Sequence, residues 1–143
     1  MTDDHDVQVD LGERSYTVAI RRSYEGLGEA VRALGIADVV VVTSEPIDHF
    51  WGDVVRDALE SAGVGHRTVH VPDGEVHKTL PTYVALVDAV LPDDFRRSTG
   101  IVALGGGVVG DLAGFAAATV LRGAPLVQVP TTLLAMMDSS VGG

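Results

Sequence analysis

Apolar and polar residues alternate twice near the start of the chain, in Val7-Gln8-Val9-Asp10-Leu11 and in Tyr16-Thr17-Val18-Ala19-Ile20, on either side of Gly12-Glu13-Arg14. Period-two alternation around a short polar turn predicts a β-hairpin. The period then lengthens: Leu27, Ala30, Val31 and Leu34 share one helical face, and Gly35 stops it. Residues 39–42 are an unbroken valine run, the pattern of a strand buried on both faces. Pro46 opens a helix through Ala62, with Phe50, Val54, Val55, Ala58 and Leu59 as its apolar positions and Gly63 behind it. Residues 68–71 read as a strand broken at Pro72, 79–91 as a helix and 101–104 as a buried strand. An alanine-rich helix over 108–121, a strand over 126–129 and a last helical turn opening at Thr131 complete the pattern.

After the hairpin, strand and helix alternate. That order predicts one α/β domain over residues 1–143, with a mostly parallel sheet and helices on both faces. A length of 143 residues suits one core, and 46% apolar against 21% charged residues excludes a disordered chain. The absence of cysteine removes disulfides, thiolate nucleophiles and Cys-ligated metals. Twenty acidic residues against ten basic ones, a formal charge of -10, repel phosphate backbones and anionic lipid, so neither nucleic acid nor membrane is an expected partner. The start, MTDDHDVQVD, is acidic without an apolar stretch behind it, and the uncharged run over 123–137 is interrupted by Pro125 and Pro130. A cytoplasmic protein is expected. Charge is also uneven along the chain. From Ile101 onward only Asp111, Arg122 and Asp138 are charged, which marks core, site or interface, and Lys78 is the sole lysine.

Gly105, Gly107 and Gly110 satisfy G-x-G-x-x-G between a predicted strand and a predicted helix. Such glycines let backbone N–H groups approach a pyrophosphate at a helix N-terminus. A tight turn, with Gly110 and Gly114 allowing close helix packing, accounts for them equally well. Asp111, expected in the first turn of that helix, suits the helix dipole and can also accept hydrogen bonds from a ribose or a nicotinamide amide. Asp73, Glu75 and Lys78 follow a strand; they read either as a β-turn with a surface ion pair or as a cation for nucleotide charge. Thr131 is a candidate N-cap, which leaves the Thr132 hydroxyl unexplained, and Asp138 follows as a lone carboxylate. Polar groups thus gather at three strand ends, where open α/β sheets bind ligands. His66 and His70 read as solvated, His5 and His49 as unpartnered, and no metal site is expected in the chain.

Residues 104–119, the Leu121-Arg122-Gly123 triplet, Val129-Pro-Thr-Thr-Leu-Leu134, Asp138-Ser-Ser-Val-Gly-Gly143 and Pro72-Asp-Gly-Glu75 with Lys78 resemble the 3-dehydroquinate synthase family in order and spacing. The resemblance implies the Rossmann-like, NAD-binding N-terminal domain of a two-domain lyase of the shikimate pathway. Such an enzyme turns 3-deoxy-arabino-heptulosonate 7-phosphate into 3-dehydroquinate and releases phosphate. It also implies that Asp73, Glu75, Lys78, Gly106, Gly107, Val108, Val109, Gly110, Asp111, Thr131, Thr132 and Ser139 bind the cofactor. Asp138 would act at the cofactor–substrate junction, and Arg122 would hold the sugar phosphate, reaching into a partner's site in a homodimer. Zinc or cobalt would belong to a C-terminal helical domain that this chain lacks. The chain alone is therefore expected to be a fragment without activity.

Two departures stand beside the match. Ser44-Glu45 occupies the place where the family carries an aspartate for the adenosine ribose, and the lysines and metal ligands of the second domain are missing. The alternatives are a sibling sugar-phosphate cyclase, an NAD-dependent polyol or iron-type alcohol dehydrogenase, and a non-catalytic nucleotide-binding or oligomerisation module using the uncharged last third as its interface.

Overall fold

The computed structural model describes residues 4–92 and 94–142. Strands β1 (His5–Val9) and β2 (Tyr16–Ile20) form the hairpin, antiparallel with Val7 opposite Val18. β1 lies two residues earlier than the alternation suggests. Asp10 leaves the ladder because its carboxylate accepts from Gly12 N at 3.2 Å and from Ser15 Oγ at 3.2 Å, an Asx-type turn that also takes in Leu11.

The main sheet has four parallel strands, β3 (Asp38–Thr43), β4 (Gly65–His70), β5 (Thr99–Gly105) and β6 (Leu126–Pro130), in the order β4-β3-β5-β6. Helix α1 (Leu27–Ala33) precedes β3; α2 (Glu45–Ile47), a π turn (Asp48–Gly52) and α3 (Asp53–Ser61) link β3 to β4. Helix α4 (Leu80–Val90) links β4 to β5, and α5 (Gly107–Thr119) links β5 to β6. Strand alternation divides the valine run between two cores. Val39 and Val41 pack with Val31, Val55 and Leu59, whereas Val40 and Val42 pack with Leu86, Val90 and Ala113. Each such side chain, removed from water, contributes about 1.5–3 kcal/mol.

The helix read from Pro46 to Ala62 starts one residue earlier and widens into a π turn in its middle. A Cβ at Gly52 would overlap the Asp48 carboxylate, so glycine leaves room for that side chain to turn toward its partners. Asp48 meets Arg56 Nη1 at 2.6 Å and His70 Nε2 at 2.7 Å. Two histidine expectations need correction here. On the edge strand β4, residues 66, 68 and 70 share one face: His66, expected to be solvated, is 13% exposed and 3.6 Å from Glu60, whereas His70 is exposed as expected and is paired with Asp48. His49 stacks edge-on against Phe50. No helix among the described residues is long and apolar enough to cross a membrane.

The chain leaves β3 outward to β4, then returns to β5 on the other side and continues to β6. The strand order therefore reverses between β3 and β5, and the crevice above their carboxyl ends is where such sheets hold ligands.

Candidate functional site

β5 is buried from end to end and passes straight into α5. A Cβ at Gly105 would lie 2.7 Å from the Val109 side chain, so the turn closes only with glycine there. Gly106 is the N-cap and has no side chain with which to cap. The first amide bonded within the turn is that of Gly110, to Gly106 O at 3.0 Å. The N–H groups of Gly107, Val108 and Val109 thus remain for an incoming acceptor, at the positive end of the helix. Val109 is 3% exposed and its side chain belongs to the core, so its offering to the site is main-chain only.

The facing wall is the end of β6. Thr131 N donates to Gly105 O at 3.0 Å, pinning the two strand ends together. The cap of the last turn is Thr132 and not Thr131: Thr132 Oγ1 accepts from Ala135 N at 3.2 Å. Thr131 Oγ1 is left buried without a partner, a condition that among the described residues only Ser44 Oγ shares. A π turn at Ala135–Ser139 then brings the chain back toward the glycines. Cβ atoms placed at Gly106 and Gly107 would lie 3.2 Å from Thr132 Cγ2 and 3.4 Å from Ser139 Oγ. Asp138 is exposed on the same turn. Tyr16 OH donates to Gly142 O, tying this segment to the hairpin; Gly143 lies outside the described residues.

The third side is the loop after β4, where Asp73 and Glu75 are exposed. Lys78 Nζ is 3.6 Å from Glu75 Oε1 but 2.6 Å from Asp111 Oδ2, so the long-range pair prevails over the local one. The hydrogen bond with Asp111, and then its charge, hold the Lys78 ammonium above the ordinary lysine value. Asp111 is the fifth residue of α5, beyond the first turn in which it was expected; the dipole has little hold there, and Lys78 is its partner.

Arg122 stands apart. It follows the C-terminus of α5, roughly 20 Å from Gly107 by the helical rise of 13 residues. Leu121, Arg122 and Gly123 have φ of 49°, 68° and 122°, a left-handed passage unusual for two non-glycine residues, with Arg122 exposed.

Three further features adjoin the site, of which Ser44 is marked in the sequence only as a departure at the ribose position. Ser44, wholly buried just past the end of β3, has an orphaned hydroxyl. Beside it lies a hollow of about 300 Å3 lined by Glu45, Asp48, His49, Asp53, Arg56 and His70. Burial pushes the Asp48 carboxyl up, but hydrogen bonds from Arg56 and His70 outweigh it and hold the group below its ordinary value. Gln128 is the third; its isolation between Val127 and Val129 was the available signal.

An uncapped glycine turn beside the switch point of a parallel sheet, with orphaned hydroxyls at the ends of the strands on either side of β5, defines an α/β domain of the kind that holds a pyrophosphate-bearing nucleotide. The particular family follows from comparison. A family model described as 3-dehydroquinate synthase N-terminal matches residues 68–143, and the chain belongs to that family. It is 47% identical over 137 residues to a 3-dehydroquinate synthase of Syntrophotalea carbinolica and 50% identical over 137 residues to one of Geobacter metallireducens. Both matches cover 94% of this chain and 38% of the relative, so the chain spans well under half the length of these curated relatives. Among solved structures, a 2-deoxy-scyllo-inosose synthase complexed with carbaglucose-6-phosphate, NAD+ and Co2+ aligns with a TM-score of 0.80 and 26% identity, covering 94% of this chain and 38% of that one.

Proposed function

We propose that this chain is the NAD-binding part of a 3-dehydroquinate synthase, which converts 3-deoxy-arabino-heptulosonate 7-phosphate to 3-dehydroquinate with release of phosphate. The observation that carries the reading is the free N-terminus of α5 set against Thr131 and Thr132, in a chain 47–50% identical to synthases of that name. The orphaned hydroxyls of Ser44 and Thr131 and the capless Gly106 fit a nucleotide that brings its own acceptors and donors.

Bound here, NAD supplies reversible hydride transfer at a ring alcohol, which acidifies the neighbouring C–H while phosphate leaves. The rest falls to the chain's own residues. The N–H groups of Gly107, Val108 and Val109 hold the pyrophosphate, and the absence of a Cβ at Gly106 and Gly107 keeps that approach open, while Gly110 lets α5 pack closely on β6. Thr131 and Thr132 bound the cofactor on the β6 side; Asp73, Glu75, Lys78 and Asp111 bound it on the other. Asp138 and Ser139 line the junction with the sugar phosphate. Arg122, held outward by its left-handed turn and distant from this crevice, binds the phosphate of a substrate in a second subunit, which requires a homodimer.

Among the described residues no group of three His, Asp or Glu side chains could hold a metal ion. The described residues therefore do not fit the divalent cation, zinc or cobalt. Its ligands belong to the portion of the relatives that this chain does not span.

The test is phosphate release by the full-length gene product from the heptulosonate phosphate, with trace NAD and a divalent metal. Phosphate without net NADH supports the synthase. Absence of phosphate moves the assignment to a sibling cyclase, and net NADH from a polyol moves it to a dehydrogenase.

A further inference from the structure

Along β6, Val127 and Val129 face the core shared with Val39 and Val41, while Leu126 faces the core of α5. Gln128 falls on the α5 side by alternation, a half-buried amide between two apolar neighbours. An amide removed from water needs a partner, and Gln128 Nε2 donates to Gly110 O at 3.3 Å. Space for it comes from α5 itself. A Cβ at Gly110 would lie 3.0 Å from Gln128 Oε1, and one at Gly114 would lie 3.7 Å from Nε2. Two glycines one helical turn apart thus open a slot for this one side chain, where alanines would favour the helix.

The slot sits directly behind the candidate cofactor turn. Gly110 O belongs to the peptide whose N–H is that of Asp111, and Asp111 holds Lys78 at 2.6 Å. Three residues beyond Gln128, Thr131 N is bonded to Gly105 O at 3.0 Å. We propose that Gln128 is a positioning residue for NAD: its amide ties the first turns of α5 to β6 and so fixes the gap between the free N–H groups of Gly107–Val109 and the Thr131–Thr132 wall. This rests on the NAD-binding reading of the site. Gln128 does not touch the cofactor; it acts through the Gly110 carbonyl. A residue needed only to fill space would be served by leucine or methionine.

The experiment compares the full-length gene product with its Gln128→Leu and Gln128→Glu variants. NAD is titrated by calorimetry at about pH 7.5 and about pH 5.5, alongside thermal unfolding without NAD and the NAD KM and kcat. If Gln128→Leu does not fold, Gln128→Met replaces it. Gln128→Leu is expected to lose about tenfold in NAD affinity, the scale of one hydrogen bond, with kcat at saturating NAD unchanged and Tm within about 2 °C. Gln128→Glu, ionised and unable to donate at the higher pH, loses as much there. It recovers relative to the parent at the lower pH, because half-burial against the Gly110 carbonyl disfavours the charged form and the protonated carboxyl can donate to Gly110 O. Unchanged NAD affinity in Gln128→Leu overturns the proposal, in favour of space filling if Tm is also unchanged and of a purely structural hydrogen bond if Tm falls, and so does a Gln128→Glu loss independent of pH. Failure of the parent protein itself to bind NAD overturns the cofactor reading, and the proposal with it.

Discussion

Lys78 and Asp111 reach each other across the carboxyl edge of the sheet, Nζ to Oδ2 at 2.6 Å, one from the loop after edge strand β4 and the other from the second turn of α5. The pair draws that loop over the β5 end and keeps the one lysine of the chain beside the free helix N-terminus.

Both partners are well exposed, with side-chain accessibilities of 39% and 40%. Their coupling to stability, measured by a double-mutant cycle of Lys78→Met and Asp111→Asn in urea, is expected to be at most about 1 kcal/mol after screening by solvent. Each single variant should still weaken NAD binding by about tenfold. The folded-state lysine value is raised, so the pair's contribution is fully present below the ordinary lysine pKa and is lost as pH rises through the raised value. Parent and Lys78→Met stability curves should therefore run parallel at neutral pH and converge only above about pH 10.4.

Asp48 governs a different part of the edge. Its carboxylate, 18% exposed, serves Arg56 and His70 at once, so Asp48→Ala leaves a guanidinium short of a partner and should destabilise by about 1–3 kcal/mol. Gly52→Ala, which forces the same carboxylate aside, should act in the same direction. Because the Asp48 value is depressed, its contribution is present above the ordinary aspartate pKa and is lost as pH falls through the lowered one. The parent's urea midpoint should drop below about pH 4. That drop should be smaller in Asp48→Ala.

The strands and helices of the main sheet were legible because valine runs and 3.6-residue periods report burial directly, as at residues 39–42 and in α4. The glycine turn was legible as well, since its residues are contiguous. What escaped the sequence depends on pairs far apart in it. Asp111 with Lys78 spans 33 positions, and Gln128 with Gly110 spans 18. His66 reads as solvated because nothing local announces that one face of an edge strand is covered by the preceding helix. The choice between Thr131 and Thr132 as cap turned on one residue of backbone phase, which periodicity does not resolve.

Gly105 and Val109 form the hinge between strand and helix. Gly105→Ala places a Cβ 2.7 Å from Val109 Cγ2 in a buried turn and should cost about 1–3 kcal/mol by overpacking. Val109→Ala should recover part of that loss in the double variant, because it removes the colliding methyls. Equal stability of the single and double alanine variants, measured by urea unfolding, would show that the turn relaxes in another way.

Arg122 tests the separation of the two ends of α5. Replacement by glycine removes a side chain from a φ of 68° but adds freedom to the unfolded chain, so stability should stay within about 1 kcal/mol of the parent. In the full-length gene product the same change should raise KM for the sugar phosphate by at least about tenfold while leaving NAD affinity unchanged. A parallel loss of NAD affinity would place Arg122 at the cofactor and contradict its position at the far edge of the sheet.

Thr131 and Thr132 are neighbours of the same type with opposite bonding, which makes them the sharpest comparison. Thr132 Oγ1 accepts from Ala135 N, so Thr132→Val removes a cap and should cost about 1 kcal/mol. Thr131 Oγ1 is buried with no partner, so Thr131→Val, nearly equal in shape, relieves an unsatisfied group. It should be neutral or stabilising by up to about 1 kcal/mol without ligand. With NAD the order reverses for Thr131. If its hydroxyl waits for the cofactor, the stabilisation that saturating NAD gives the parent should shrink in Thr131→Val, and NAD affinity should fall about tenfold. Thermal unfolding with and without NAD reads both effects in one experiment. A Thr131→Val protein that is less stable without NAD and binds it normally would mean that the hydroxyl already has a structural partner, and that the β6 wall meets the cofactor through Thr132 alone.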